Sequence, residues 1–218
     1  MVQPLLERHP DLALVGRWLY LKPIHHFARG ILIDRGYYKE RFHPRWAVLH
    51  LFQIHQHHIM SWGGDLTNRR SPYPGIWSMS DTDVQLSLIE EVEKVALPNL
   101  RSIKILDDYL KFVAGHTFWN HLFERPSRKI IIDIAIGNLE PAKEICKRKI
   151  DYWSIDHSHL DAYDKANYHR LRELCARLVA NNRTGLAQLL HEWEAETVRS
   201  FKIAHLWEPT PFPLEDQF

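Results

Sequence analysis

Four strand-like runs lie close together between Arg17 and Leu66, and they constrain the fold more than any other part of the sequence. The runs are Arg17 to Lys22, Phe27 to Asp34, Trp46 to Gln53 and Ile59 to Leu66. Side chains alternate between the two faces of a strand, and Trp46 to Phe52 is apolar on both faces. Because hairpin-type connections join the runs, we expect an antiparallel β-meander of about four strands, with the third strand at its centre.

Glycine and proline positions predict local features of this meander. Gly30 lies inside the second strand and indicates a bulge or a close backbone approach. A polar connection is expected from Asp34 to Pro44, between the second and third strands. The pair Gly63-Gly64 is expected to loosen or end the fourth strand.

A helix is predicted to start at Ser80, because Ser80-x-x-Asp83 resembles a capping box. Apolar residues then recur at helical spacing: Val84, Leu88, Val92 and Val95. Glu90 and Glu91 lie off this stripe and are interpreted as part of a solvated face. Pro98 predicts a break or kink near the end of the helix.

Further helices are predicted along the second half of the chain. The expected helical segments are Asp107 to Ala114, a face made of Leu139, Ala142, Ile145 and Cys146, and two long helices joined by the link 181–185. That link is short, so the two long helices should form an antiparallel hairpin. Residues 129–136 are ambiguous, since their β-branched side chains favour a strand while Pro126 and Gly137 suit the ends of a helix. We favour the helix.

These elements predict an α+β fold with an antiparallel β-meander in the N-terminal third, packed against a mainly helical C-terminal part. We interpret residues 1–218 as a single domain, which is within the usual range of domain sizes. Its parts are a meander at 1–66, a loop at 67–80, a helical part at 81–206 and a proline-rich extended tail at 207–218. Phe212 or Phe218 could anchor that tail or contact a partner.

The charge balance and the cysteine count limit the class of function. The formal net charge is +1, so the chain lacks the global positive field of a nucleic-acid-binding protein. No run approaches the length of a membrane span, and charged residues near Met1 interrupt any signal peptide, so a cytoplasmic location without membrane contact is expected. Cys146 and Cys175 are too few for a disulfide framework and are interpreted as reduced core thiols.

Aromatic residues are abundant in and beside the meander. Trp18, Trp46, Trp62 and Trp77 lie in this region, and we favour core positions for them over a binding surface. Trp77 is expected to attach the 67–80 loop to the body of the protein. If the region does bind a partner, the candidate contact residues are Trp62, Tyr73, Trp77, Arg69 and Arg70.

Histidines suggest metal binding as an alternative. His55-x-His57 would set two imidazoles on one side of a strand, close enough for zinc or another first-row divalent metal. A third ligand could come from His25, Asp34 or Asp65. Nothing fixes the remaining ligands, so we favour exposed imidazoles in a polar turn and no cofactor.

Other motifs for catalysis are weak or missing. His157-x-His159-x-Asp161 resembles part of the metal-binding signature of the metallo-β-lactamase superfamily, but Ala162 stands where that signature continues with a histidine. A helix start explains the same residues without metal. The sequence contains no Gly-x-Ser-x-Gly elbow and no Gly-rich phosphate loop.

The order of Arg-Trp-Leu-Tyr-x-Lys-Pro, Arg29-Gly30-Ile-Leu-Ile-Asp-Arg, Trp46-Ala-Val, Trp62-Gly and a helix ending near Pro98 resembles a family of small bacterial α+β proteins with no assigned function. The resemblance implies a fold and no activity. We therefore expect a non-enzymatic cytosolic binding or accessory protein, of which an immunity-type protein is one form, with a protein as partner. The same surface could join copies in a homo-oligomer. The alternative is a metal-dependent hydrolase with a histidine-rich site at the end of the sheet.

Overall fold

A computed structural model of the chain describes residues 1–36, 38–53, 62–71, 77–115, 126–153 and 162–216. The chain divides into two compact units. The first, called the sheet unit, comprises Met1–His50, Ile59–Phe112 and Lys202–Glu208. The second, called the helical unit, comprises Leu51–His58, Val113–Phe201 and Pro209–Phe218. The α+β class is confirmed, with an antiparallel sheet in the N-terminal part and helices in the C-terminal part.

The sheet unit contains the predicted meander. Helix α1 (Gln3–Arg8) is followed by the strands β1 (Leu12–Val15), β2 (Trp18–Leu21), β3 (Phe27–Arg35), β4 (Arg41–His50) and β5 (Trp62–Asp65). Among these five strands, each pairs antiparallel with the next. A short strand β6 (Trp77–Ser78) pairs with the start of β4. Helix α1 and strand β1 precede the first of the four predicted strands.

Strand β4 is internal, with β3 along one edge and β5 and β6 along the other. It begins at Arg41, so the predicted polar connection up to Pro44 is wrong over its last four residues. Buried and exposed residues alternate there, which is the pattern of a strand with one solvated face. Pro44 is tolerated in the strand: it pairs with Ile33, and its carbonyl accepts a hydrogen bond from the Leu66 amide at 2.9 Å.

Two glycines mark close approaches between strands. A Cβ atom at Gly30 would lie 2.7 Å from the carbonyl oxygen of Leu19 on β2, which confirms the predicted close backbone approach. Gly63 and Gly64 lie inside β5, so the prediction that they end the strand is wrong. A Cβ at Gly63 would collide with the carbonyl of Trp46, so glycine permits the β4–β5 pairing.

The helices after the sheet are α2 (Val84–Glu91), a π-helical segment (Val92–Ala96), α3 (Leu97–Ser102) and α4 (Leu106–Gly115), of which α4 belongs to the sheet unit up to Phe112. The first predicted helix begins later and continues further than expected, and α4 agrees with its prediction to within one residue at each end. The predicted start at Ser80 is wrong, since Asp83 has φ 61° and makes no capping hydrogen bond with its side chain. Of the two alternatives predicted at Pro98, a break or a kink, the break is wrong, because helical backbone continues on both sides of the proline. The wider π turn directly before Pro98 accommodates the missing amide donor.

Two buried polar side chains fasten α3 and α4 to the sheet. Arg29 on β3 is 8 % exposed and donates hydrogen bonds to the carbonyl oxygens of Pro23, at 2.9 Å, and Ile103, at 2.6 Å. His50 at the end of β4 is fully buried, and its Nδ1 lies 2.9 Å from the hydroxyl of Tyr109 on α4. Buried polar groups of this kind require partners, so they fix where the helices lie on the sheet.

The helical unit contains α5 (Pro126–Ala135), α6 (Leu139–Trp153), α7 (Ala162–Val179) and α8 (Arg183–Ser200). The preference for a helix in the ambiguous run is confirmed through Ala135, and Gly137 follows its end with φ 79°. Helices α7 and α8 form the predicted hairpin. The Asn182 side chain caps α8 by accepting a hydrogen bond from the Gly185 amide. In the described ranges, no helix is both long and apolar enough to cross a bilayer.

Cys146 on α6 and Cys175 on α7 form a disulfide, with Cα atoms 6.0 Å apart. The prediction of reduced thiols is therefore wrong. Both residues are buried, as expected of core positions, but the sequence does not reveal that α6 and α7 bring them together. The disulfide links residues 29 positions apart and closes the chain around the connection between the two helices.

Candidate binding site

Three of the tryptophans beside the meander belong to the core. Trp18 and Trp46 are 7 % and 6 % exposed, and Trp77 is fully buried. The Trp77 indole donates a hydrogen bond to the Leu66 carbonyl oxygen at 2.8 Å, so Trp77 attaches its segment to the sheet unit as predicted. As a candidate contact residue, however, Trp77 presents no side-chain surface to a partner. The side chain of Trp62, and Tyr73 as a whole, lie outside the described residues.

Arg69 and Arg70 lie in a turn after β5 and form ion pairs with α2. The Nε of Arg69 lies 3.0 Å from the Glu91 carboxylate, and the Nη2 of Arg70 lies 2.7 Å from that of Glu90. The arginine side chains are 76 % and 49 % exposed. Arg69 and Arg70, the two candidate contact residues that the structure describes at the surface, are therefore held in defined positions by their ion pairs.

These pairs border an open cleft of about 320 Å³, which we call the Arg–Glu cleft. Its lining consists of Arg69, Arg70, Ser87, Glu90, Glu91, Lys94 and Val95. Ligand pockets commonly measure roughly 300–1,000 Å³, so this cleft suits one side chain or a small organic ion. Three basic and two acidic residues give the lining a formal charge of one positive unit.

Burial differs between the two carboxylates of the cleft. Glu91 is 8 % exposed, which contradicts its interpretation as part of a solvated face, whereas the Glu90 side chain is 44 % exposed. Arg69 supplies an ion-pair partner for this nearly buried carboxylate. Helical periodicity alone could not reveal this, because Arg69 lies 22 positions earlier in the sequence.

Ser87 lies one helical turn before Glu91 and is 4 % exposed. Its hydroxyl has no hydrogen-bond partner within the described part of the chain. Most buried hydroxyls are satisfied, so this group is unusual. A cleft that combines fixed arginines with an unsatisfied buried hydroxyl can accept a polar ligand by hydrogen bonds and ion pairing.

The residues proposed as metal ligands have other partners where they are described. His55 and His57 lie outside the described residues, as do His157, His159 and Asp161. Asp65 pairs with Arg45 directly across β4 and β5, at 3.2 Å. The other third-ligand candidates also have partners: Asp34 pairs with Arg17 at 2.6 Å, and the Nδ1 of His25 lies 2.8 Å from the Glu208 carbonyl oxygen. No group of three or more His, Cys, Asp or Glu that could hold a metal occurs in the described ranges. The metal site stays a prediction.

A cluster of charged residues in the helical unit was missed by the sequence analysis. His191 on α8 lies between two carboxylates, with its Nδ1 3.3 Å from Glu194 and its Nε2 2.8 Å from Glu215. Glu194 is fully buried, and Glu215 belongs to the C-terminal tail. We call these three residues the tail clasp. The sequence carries no signal for it, because Glu215 reaches His191 only through the path of the tail.

The tail clasp favours protonated histidine. The hydrogen bond to Glu194 raises the pKa of His191 above its ordinary value of 6.5; burial opposes this, and Glu215 adds to the increase. Only a protonated ring can donate from both nitrogens at once. The centroid of the Phe212 ring lies 4.8 Å from that of the imidazole, and the Phe212 amide donates a hydrogen bond to Glu215. Of the two alternatives left open for Phe212, its buried side chain anchors the tail, and Phe218 lies outside the described residues.

Comparison with known proteins adds no relative to these observations. No family model, curated protein or solved structure matches the chain.

Proposed function

We propose that this chain is a non-enzymatic binding protein whose contact region is the Arg–Glu cleft, with another protein as its ligand. The observation that carries the proposal is the Arg69–Glu91 pair. A largely exposed guanidinium is held by a carboxylate that is almost buried. Such an arginine loses less conformational freedom when a partner binds, and arginine is a frequent energetic centre of protein interfaces.

The neighbouring helix surface supports a protein as ligand. Leu86 is 51 % exposed and lies one turn before Glu90, on the same face of α2. An apolar side chain next to charged groups is typical of the border between the core and the rim of an interface. An immunity-type protein that neutralises another protein would use such a surface, and two copies joined through it would form a homo-oligomer.

Catalysis is not part of the proposal. Both carboxylates of the cleft are engaged by arginines, and no histidine accompanies Ser87 among the described residues that line it. A serine nucleophile needs an adjacent base, so Ser87 is better suited to hydrogen bonding. The cytoplasm remains the proposed location, although a disulfide such as Cys146–Cys175 persists mainly in oxidising compartments. Cell fractionation would test the location directly.

Affinity capture with matched variants tests the proposed function. The bait is the full chain, compared with Arg69→Gln/Arg70→Gln and with the control Arg17→Gln/Arg45→Gln. The control also removes two exposed arginines that pair with carboxylates in the sheet unit. A captured protein, once purified, should bind wild type and control within about twofold and the cleft variant at least tenfold more weakly. Equal binding to all three, or no protein retained by wild type, would overturn the proposal.

A further inference from the structure

The Arg–Glu cleft contains more positive charge and more donors than its own carboxylates use. Glu90 and Glu91 each pair with one arginine, and in the described part of the chain no carboxylate pairs with Lys94. Each guanidinium offers five N–H donors, of which a single ion pair occupies a minority. The cleft is therefore better matched to an anionic ligand than to a cationic one.

Ser87 indicates where an oxygen atom of the ligand would lie. Its hydroxyl is buried in the lining and is unsatisfied among the described residues. An oxyanion bound in the cleft would supply the partner that this hydroxyl lacks.

We infer that the Arg–Glu cleft binds a carboxylate from an acidic segment of the protein partner, with Lys94 and the arginines as the cations and Ser87 as a hydrogen-bond donor. This inference rests on the proposed function and specifies its ligand. One carboxylate would neutralise the single positive charge of the lining. The volume is sufficient for an acidic side chain, and the exposed Leu86 offers an apolar contact to the rest of the segment.

The test is a titration of the isotope-labelled full chain with three probes, in which amide chemical shifts report binding. The probes are a blocked tetraglutamate peptide, the matching tetraglutamine peptide and inorganic phosphate. Tetraglutamate should shift the amides of 69–70 and 87–95, and tetraglutamine should not. Lys94→Gln should weaken tetraglutamate binding roughly five- to tenfold, and Ser87→Ala by about threefold. Lys39→Gln, which removes a lysine from the β3–β4 turn, should change the affinity for tetraglutamate less than twofold.

Three outcomes would overturn the inference. They are equal binding of the two peptides, no effect of Lys94→Gln, and tighter binding of phosphate than of tetraglutamate at the same amides. The last would assign the cleft to a free small anion. The shared chemistry is an oxyanion, and the peptide and phosphate arms distinguish its two sources.

The inference and the proposed function can fail separately. A captured protein that depends on Arg69 and Arg70, but is neither displaced by tetraglutamate nor affected by Lys94→Gln, would overturn the inference alone. Tetraglutamate binding at the cleft combined with no protein captured would overturn the proposed function, and with it the protein source of the carboxylate.

Discussion

Two peripheral regions of this protein, one in each unit, are fastened by different chemistry. In the sheet unit, the segment after β5 is attached by a fully buried indole and by arginine pairs at its surface. In the helical unit, a disulfide joins α6 to α7, and a histidine between two carboxylates attaches the tail. Apolar packing and guanidinium pairs are insensitive to mild changes of pH or redox state, whereas a disulfide responds to redox state and an imidazole responds to pH. The two sets of attachments should therefore respond to different solution conditions.

Removal of the Trp77 side chain should have the largest effect. Trp77→Ala is expected to lower the free energy of unfolding of the sheet unit by about 4 kcal/mol, because it leaves a cavity and removes the partner of the Leu66 carbonyl. Trp77→Phe keeps most of the packing and should lose about 1–2 kcal/mol. Urea denaturation, monitored by hydrogen exchange of the β4 amides, measures both losses of stability. Equal losses in the two variants would show that packing of the indole contributes little.

Reduction of the disulfide should have the next largest effect, in the helical unit. The chain-entropy relation for a loop of this length gives about 3.5 kcal/mol of stabilisation. Hydrogen exchange of α6 and α7 should therefore increase in dithiothreitol, while exchange of β3 and β4 stays unchanged. The variant Cys146→Ser/Cys175→Ser serves as control and should not respond to the reductant. Unchanged protection of α6 and α7 on reduction would show that the disulfide contributes little to the stability of the helical unit.

Features that depend on neighbouring residues could be predicted from the sequence, whereas contacts between distant residues could not. The meander could be predicted because alternating side chains and short connections are properties of neighbouring residues. Helix α5 could be identified from the residues at its ends, Pro126 and Gly137. The start of β4 carried a usable signal as well: the alternation from Arg41 to Trp46 is present in the sequence, but Pro44 made it look like a connection.

The attachments that were missed depend on residues distant in sequence. The disulfide requires that α6 and α7 pack with their cysteines facing each other, and the tail clasp requires the return of Glu215 to α8. The burial of Glu91 similarly depends on the position of the turn that holds Arg69. Arg69 and Arg70 themselves were identified as candidate contact residues, but the other lining residues of the cleft could not be inferred from helical periodicity.

Protonation of the tail clasp should have a smaller, pH-dependent effect. The folded state raises the pKa of His191 above 6.5, mainly through Glu194, so its stabilisation is complete below pH 6.5 and is lost as pH rises through the raised folded value. His191→Gln should therefore lower the stability of the helical unit by about 1–2 kcal/mol near pH 5.5, and by less near pH 9.

The tail clasp is tested by urea denaturation between pH 5.5 and pH 9, monitored by hydrogen exchange of α8. His205→Gln replaces an exposed histidine of the sheet unit and is the control, with no expected change at either pH. A difference between wild type and His191→Gln that is constant from pH 5.5 to pH 9 would mean that the ring acts through packing with Phe212 rather than through its charge.

Loss of the Arg69 ion pair should have the smallest effect on stability. The side chain is 76 % exposed, and solvent screens such pairs, so Arg69→Gln should cost less than about 1 kcal/mol. The cost should be constant between pH 5.5 and pH 9, because a guanidinium stays protonated, and this distinguishes Arg69 from His191. Urea denaturation of the sheet unit at both pH values is the measurement. A loss above about 2 kcal/mol would make Arg69 a structural attachment comparable to Trp77. A small loss would mean that Arg69 is available for binding through the N–H donors that its pair with Glu91 leaves unused.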